Sequence, residues 1–103
     1  MGARVTWSLK AELELAEIRD YIERDSKANA VQVVEQLLDA VDRLSIYPLS
    51  GHIITKWKNP ARRDLVVGSY RLMYEISSGE IIIFGVQRTR RRIPNRFRNE
   101  WLK

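Results

Sequence analysis

The sequence contains no cysteine, one histidine, three prolines and five glycines in 103 residues. Without cysteine, neither disulfides nor thiolate metal sites can hold the fold together. The lone His52 has no carboxylate–histidine spacing of a ligand set around it, so no metal centre and no cofactor is expected. Ser-His-Asp chemistry would need that same histidine beside a nucleophile motif, and no such motif is present. Isolated after Gly51, His52 reads as a surface turn residue. No glycine-rich phosphate loop occurs. No apolar run approaches membrane length and the start has no signal-peptide block, so a soluble, cytoplasmic protein with no membrane partner is expected.

What is present is charge, unevenly placed. The net charge is +5. Residues 1–50 carry six Lys+Arg against nine Asp+Glu, a net of −3, while residues 51–103 carry twelve against four, a net of +8. A basic half of this kind attracts acidic partners, whether phosphates or carboxylates. The length suits one domain over residues 1–103, which buries roughly two-thirds of its unfolded surface and so supports one core.

"RVTW", Arg4 to Trp7, is a short β-rich run, and Ser8 after it is a candidate N-cap. Ala11, Leu15, Ile18 and Ile22 then recur on one helical stripe. Glu12, Glu14, Glu17 and Asp20 fill the other faces, an acidic bias that suits the helix dipole. "RDSKAN", Arg24 to Asn29, breaks the pattern and supplies capping residues. A second stripe follows at Val34, Leu37, Val41 and Leu44, flanked by Ala30 and Leu38, and ends at "YPLSG" because Pro48 disfavours helical geometry before it. Two such stripes joined by a short turn predict an αα-hairpin.

The remainder reads as β. Gly68-Ser69 separates two apolar runs and marks a two-residue hairpin, "SSGE" is a second turn, and "IIIFGV" is a third strand. Tyr70, Leu72, Tyr74 and Ile76 alternate with Arg71, Met73 and Glu75, so the first set faces the helices and Arg71 the open side. The third strand is apolar on both faces, which places it centrally with Arg4–Trp7 beside it. The expected class is α+β in the order β-α-α-β-β-β, a helical hairpin on a small, mainly antiparallel sheet. Residues 94–103 are expected as a short last helix or tail after Pro94.

The chemistry rests on the basic residues. "QRTRRR", Gln87 to Arg92, packs four arginines into six residues directly after the most apolar strand. Lys56, Lys58, Arg62 and Arg63 precede the meander, and Arg71 lies in its middle strand. If Arg71 and part of the 88–92 cluster converge on one sheet face, their planar forks suit phosphate. The plainer reading is a solvated strand end that keeps an apolar edge soluble. Leu9 and Leu13 lie off the first helix's stripe, as scattered exposure or as a docking patch. A plain nucleic-acid-binding module is the weakest reading, because the basic residues lack the interleaved aromatics of a single-strand platform.

Four pieces in order resemble the RelE/ParE superfamily of bacterial toxins, most closely its ParE-like branch. They are "VTWSLKAELELAEIRDYI", "LLDAVDRLSIYPLSG", "RRDLVVGSYRLMYEI" and "IIIFGVQRTRR", together spanning Val5 to about Arg92. The most specific is the third, an Arg-acidic-Leu, a Gly turn and Tyr-Arg-x-x-Tyr. The resemblance implies a toxin of a type II toxin–antitoxin system, neutralised by a cognate antitoxin that wraps a partly disordered segment around it by coupled folding. RelE-like members cleave mRNA on the ribosome, whereas ParE-like members inhibit DNA gyrase without known catalytic residues. Matched to the RelE-like active site, Arg62, Arg71 and Arg88 or Arg90 stand at basic positions, Asp64 reverses one charge, and Phe97 and Trp101 replace a proton-moving tyrosine. Arg88 stands where some related nucleases carry histidine. These departures favour gyrase, with ribosome-dependent mRNA cleavage as the alternative. Arg63, Arg71, Arg88, Arg90, Arg91 and Arg92, with Leu9 and Leu13, are the expected contacts to target or antitoxin.

Overall fold

The computed structural model describes residues 2–55 and 58–89. Strand β1 (Arg4–Trp7) leads into helix α1 (Leu9–Glu23). Ser8 caps α1 as its sequence predicts: its backbone is extended and its hydroxyl accepts from the Ala11 N–H at 3.1 Å. Ser26 does the same for helix α2 (Lys27–Ile46) through the Asn29 N–H, also at 3.1 Å. Between the caps the Asp25 and Ser26 amides both bond back to the Ile22 carbonyl, so the helical hairpin turns within three residues. A 3-10 turn at Pro48–Ser50 ends the helical part.

The sheet has five strands in the order β1-β5-β4-β3-β2, with β2 at His52–Ile53, β3 at Arg62–Val67, β4 at Tyr70–Ser77 and β5 at Glu80–Arg88. The α+β class and the helical hairpin on a mainly antiparallel sheet are as expected. The edge strand β2 is an addition: two residues are too few to show any periodicity in a sequence, and His52, read as a turn residue, pairs with Asp64. β1 runs parallel to β5 from Arg4↔Glu80 to Trp7↔Ile83, which puts β5 inside the sheet.

Both meander turns follow from their residues. Gly68 has φ +59° at the first central position, where glycine is least costly, and closes Val67 on Tyr70. Ser78 and Gly79 both have positive φ, 50° and 78°, as a type I′ turn requires. The core lies between the helices and one sheet face. It is made of Ala11, Leu37, Ala40, Val41 and Leu44 from the helices and Leu72, Tyr74, Ile81, Ile83 and Val86 from the strands. Leu38, expected beside the second stripe, stays 42% exposed, and Ala40 is buried instead.

One irregularity controls which residues reach which face. β4 pairs Met73 with Gly85 but Tyr74 with Ile83, so Phe84 is an extra residue in β5. The inward positions therefore run Ile81, Ile83 and then Val86 rather than residue 85. The Val86 N–H donates to Glu14 Oε1 at 2.9 Å, tying α1 to the strand just beyond the bulge. Tyr74, fully buried, ties the far side: its hydroxyl donates to the Pro48 carbonyl at 2.7 Å and accepts from the Gly51 N–H at 2.9 Å. Gly51 has no room for a side chain, since a Cβ there would sit 2.6 Å from both the Asp64 carbonyl and the Tyr74 hydroxyl. Among the described residues no helix is long and apolar enough to cross a membrane.

Candidate functional site

Leu72 and Tyr74 face the helices, so strand alternation sends Arg71, Met73 and Glu75 to the opposite, open face. The two-residue turn then sets the neighbours. Arg62 stands opposite Glu75, Asp64 opposite Met73, and Val66 opposite Arg71. Asp64 is therefore diagonal to Arg71 and within reach of it. The result is two cross-strand ion pairs: Arg62 Nε to Glu75 Oε1 at 2.9 Å, and Arg71 Nη2 to Asp64 Oδ2 at 3.2 Å. The Arg62 guanidinium also lies over the Phe84 ring, 5.2 Å from its centroid. Arg71 Nε is buried with no acceptor among the described residues.

Arg62, Arg71, Met73 and Phe84 line a concavity of about 630 Å³ together with Ser8, Lys10 and Gln87, at the point where α1 begins. Lys10 in turn pairs with Glu14 at 2.9 Å. Among the described residues, each of the three cations lining the concavity thus has a carboxylate partner. A larger groove of about 790 Å³ lies on the helix side, where Glu17, Asp20 and Tyr21 of α1 meet Tyr70 and Arg88 of the sheet. Its charges are mixed and come from both elements. The open-face concavity gathers two of the sequence-predicted arginines, and the helix-side groove only one.

The predicted residues are thereby sorted. Arg62 and Arg71 meet on the open face. Arg63 does not join them: it points to the other side, where its Nη1 donates to the carbonyls of Leu49 at 3.2 Å and Gly51 at 3.0 Å. It is a structural clamp on the turn after α2. Arg88 is also separated from Arg71. The bulge at Phe84 shifts the alternation by one, so Arg88 pairs with core-facing Tyr70 and Gln87 takes the place opposite Arg71. The expected convergence of Arg71 with the 88–92 cluster therefore does not include Arg88. Arg90, Arg91, Arg92, Phe97, Trp101 and the last helix or tail lie outside the described residues. Leu9 and Leu13 are exposed on α1, at 70% and 56%.

Sequence reasoning overlooked Glu75, Phe84 and Lys10. Glu75 was within reach of it: a two-residue turn at Gly68-Ser69 puts residue 75 opposite residue 62 by counting outward. Phe84 was also within reach, because alternation from inward Ile81 and Ile83 puts residue 84 on the open face.

Burial holds the Tyr74 hydroxyl above its ordinary value of 10.0; the Gly51 N–H and the Arg63 charge oppose that shift, and Asp64 reinforces it. Tyr74 is on the helix side and does not line the open-face concavity.

Residues 5–93 match the family described as ParE toxin of type II toxin-antitoxin system, parDE. The chain is 38% identical over 76 residues to toxin Y4kP of Sinorhizobium fredii, covering 72% of this chain and 76% of that protein. It is 32% identical over 89 residues to toxin RelE2 of Caulobacter vibrioides, covering 86% and 98% respectively. Its fold superposes on a structure of the chromosomal ParDE toxin–antitoxin system of P. aeruginosa with a TM-score of 0.70 at 20% identity, over 84% of this chain and 96% of that one. The RelBE2 toxin–antitoxin complex of Mycobacterium tuberculosis gives 0.58 at 21% identity, over 86% and 100%. Both superpositions are likenesses of fold, whereas the family match spans the chain from β1 to beyond β5; the chain belongs to the ParE toxins of type II toxin–antitoxin systems, within the ParE/RelE superfamily.

Proposed function

We propose that this toxin acts by binding, that DNA gyrase is its target, and that a cognate antitoxin neutralises it. The observation that carries the binding reading is the charge compensation of the open face. An RNA-cleaving site must stabilise extra negative charge on a phosphate and must move a proton onto and off the substrate. Here Lys10, Arg62 and Arg71 are each committed to a carboxylate, and among the described residues no histidine or tyrosine lines the concavity. Gyrase follows from membership of the ParE family and the behaviour of its ParE-like branch. The antitoxin is supported by the toxin–antitoxin systems among its structural neighbours and by a second half with a net charge of +8. Leu9 and Leu13 offer exposed apolar surface for such a partner.

Plasmid supercoiling by purified gyrase, titrated with the purified toxin, tests the target. Dose-dependent loss of supercoiling or accumulation of linear plasmid is the expected result. A folded toxin without effect overturns it. Replacing Arg90, Arg91 and Arg92 together by alanine is expected to abolish toxicity while leaving the fold intact; retained toxicity removes that cluster from the target contact.

A second reading, ribosome-dependent mRNA cleavage, draws on the meeting of Arg62 and Arg71 in one concavity and on the likeness to RelE2. Fragmented mRNA in a translation reaction would place the activity there.

A further inference from the structure

Arg62 and Arg71 are the right residue type to hold phosphate, they share one concavity, and they sit on the sheet face opposite the helices. Such a face would ordinarily take nucleic acid. Its geometry works against that. Glu75 is directly across the ladder from Arg62, and Asp64 is on the diagonal from Arg71, so the backbone register itself holds each carboxylate against its arginine. Neither carboxylate has to be recruited by side-chain motion from elsewhere. The Arg62 guanidinium also covers the Phe84 ring, the one aromatic among the described residues lining the concavity on which a base could stack. Four charged side chains on two adjacent strands thus sum to zero.

We infer that Asp64 and Glu75 are specificity-determining residues that bar nucleic acid from the open face of this toxin. This deepens the binding reading above and rests on it. A phosphate approaching Arg71 must displace a carboxylate tethered two residue pairs along the ladder, and the displaced carboxylate stays beside it as a like charge. A protein surface carrying its own paired donors and acceptors meets no such penalty, because it can join the pairs without breaking them. The carboxylates therefore select between two classes of acidic partner that the arginines alone would not distinguish.

The test uses the purified full chain and a labelled single-stranded RNA of mixed sequence, with binding read by fluorescence anisotropy across a salt series. Asp64→Asn and Glu75→Gln keep size and hydrogen-bonding capacity and remove only charge. The double variant is expected to bind the RNA roughly tenfold more tightly than wild type, with a salt dependence steeper by about 1.4 in log–log slope, as two additional phosphate contacts on a single strand require. Adding Arg62→Ala and Arg71→Ala to the double variant is expected to return affinity to the wild-type level, which locates the gain on this face. RNA bound through the 88–92 arginines is a background common to all variants, and the gain is read as the increase above it. No gain in folded amide variants overturns the inference, as does a gain that survives loss of both arginines. Should the double variant denature, each single amide variant carries the same comparison, with roughly a threefold gain expected. The supercoiling reaction on wild-type toxin reports separately on the binding reading, so failure of one is not mistaken for failure of the other.

Discussion

On the helix-covered face of the sheet, Leu72, Tyr74, Ile81, Ile83 and Val86 are at most 1% exposed, packed against α1 and α2. On the open face, the side chains of Arg62, Asp64, Arg71 and Glu75 keep between 22% and 40% of their exposure and are joined in pairs. One set is removed from water and stabilises the fold through apolar area. The other remains in contact with water, where ion pairs contribute little. Adjacent residues of one strand, Arg62 and Arg63, are both half-buried but point to opposite faces because the strand alternates. The same side-chain type thus holds a turn at one position and lines a candidate interface at the next.

The contrast is tested hardest by deleting volume from the buried side. Leu37→Ala is expected to cost about 3 kcal/mol in urea denaturation, toward the lower end of the range for buried leucines that leave a cavity. An equal loss from Glu75→Ala would erase the distinction between the faces.

Tyr74→Phe is the next largest change. It leaves the Pro48 carbonyl and the Gly51 N–H without their shared partner, and about 1–3 kcal/mol is expected. The effect depends on pH. Because burial raises the folded hydroxyl above its ordinary 10.0, the neutral form is favoured by folding. That stability is fully present below pH 10.0 and is lost as pH rises through the folded value. The gap between wild type and Tyr74→Phe is therefore expected to narrow in strongly alkaline buffer, and a gap that widens there refutes the assignment.

Arg63→Ala and Arg62→Ala sharpen the comparison within one strand. Loss of two bonds to the carbonyls of Leu49 and Gly51 is expected to destabilise by about 1–2 kcal/mol. Loss of the half-exposed pair with Glu75 is expected to cost under about 1 kcal/mol. Thermal denaturation of the two variants side by side reads the difference, and toxicity should respond in the opposite order.

Much of this molecule is legible from short stretches. Ser8 and Ser26 cap their helices because a hydroxyl reaches the amide three residues ahead, wherever the chain later goes. Gly68 and Gly79 turn the meander because they accept positive φ at little cost. From the first of these turns the whole Arg62↔Glu75 to Val67↔Tyr70 register follows by counting. Arg71 on the open face is a consequence of alternation around Leu72.

The candidate site was less legible, and for one reason. Counting along a strand assumes an unbroken ladder, and Phe84 breaks it. Beyond the bulge, Arg88 lies with Tyr70 on the helix side, although alternation from Ile81 and Ile83 alone would have sent it the other way. The bulge is supported from 72 residues away, by the Glu14 carboxylate on the Val86 amide. No window of sequence contains both.

By itself, then, the sequence determined the helices, the turns, the uneven charge and the face on which Arg71 stands, since each depends on neighbours within a few residues. Only the tertiary structure decided that β1 lies parallel to β5, that Arg63 clamps the turn at Leu49 and Gly51, and that Arg71 and Arg88 part company. Those outcomes depend on contacts between residues far apart in the chain, whose geometry exists only once the helices and the sheet have met.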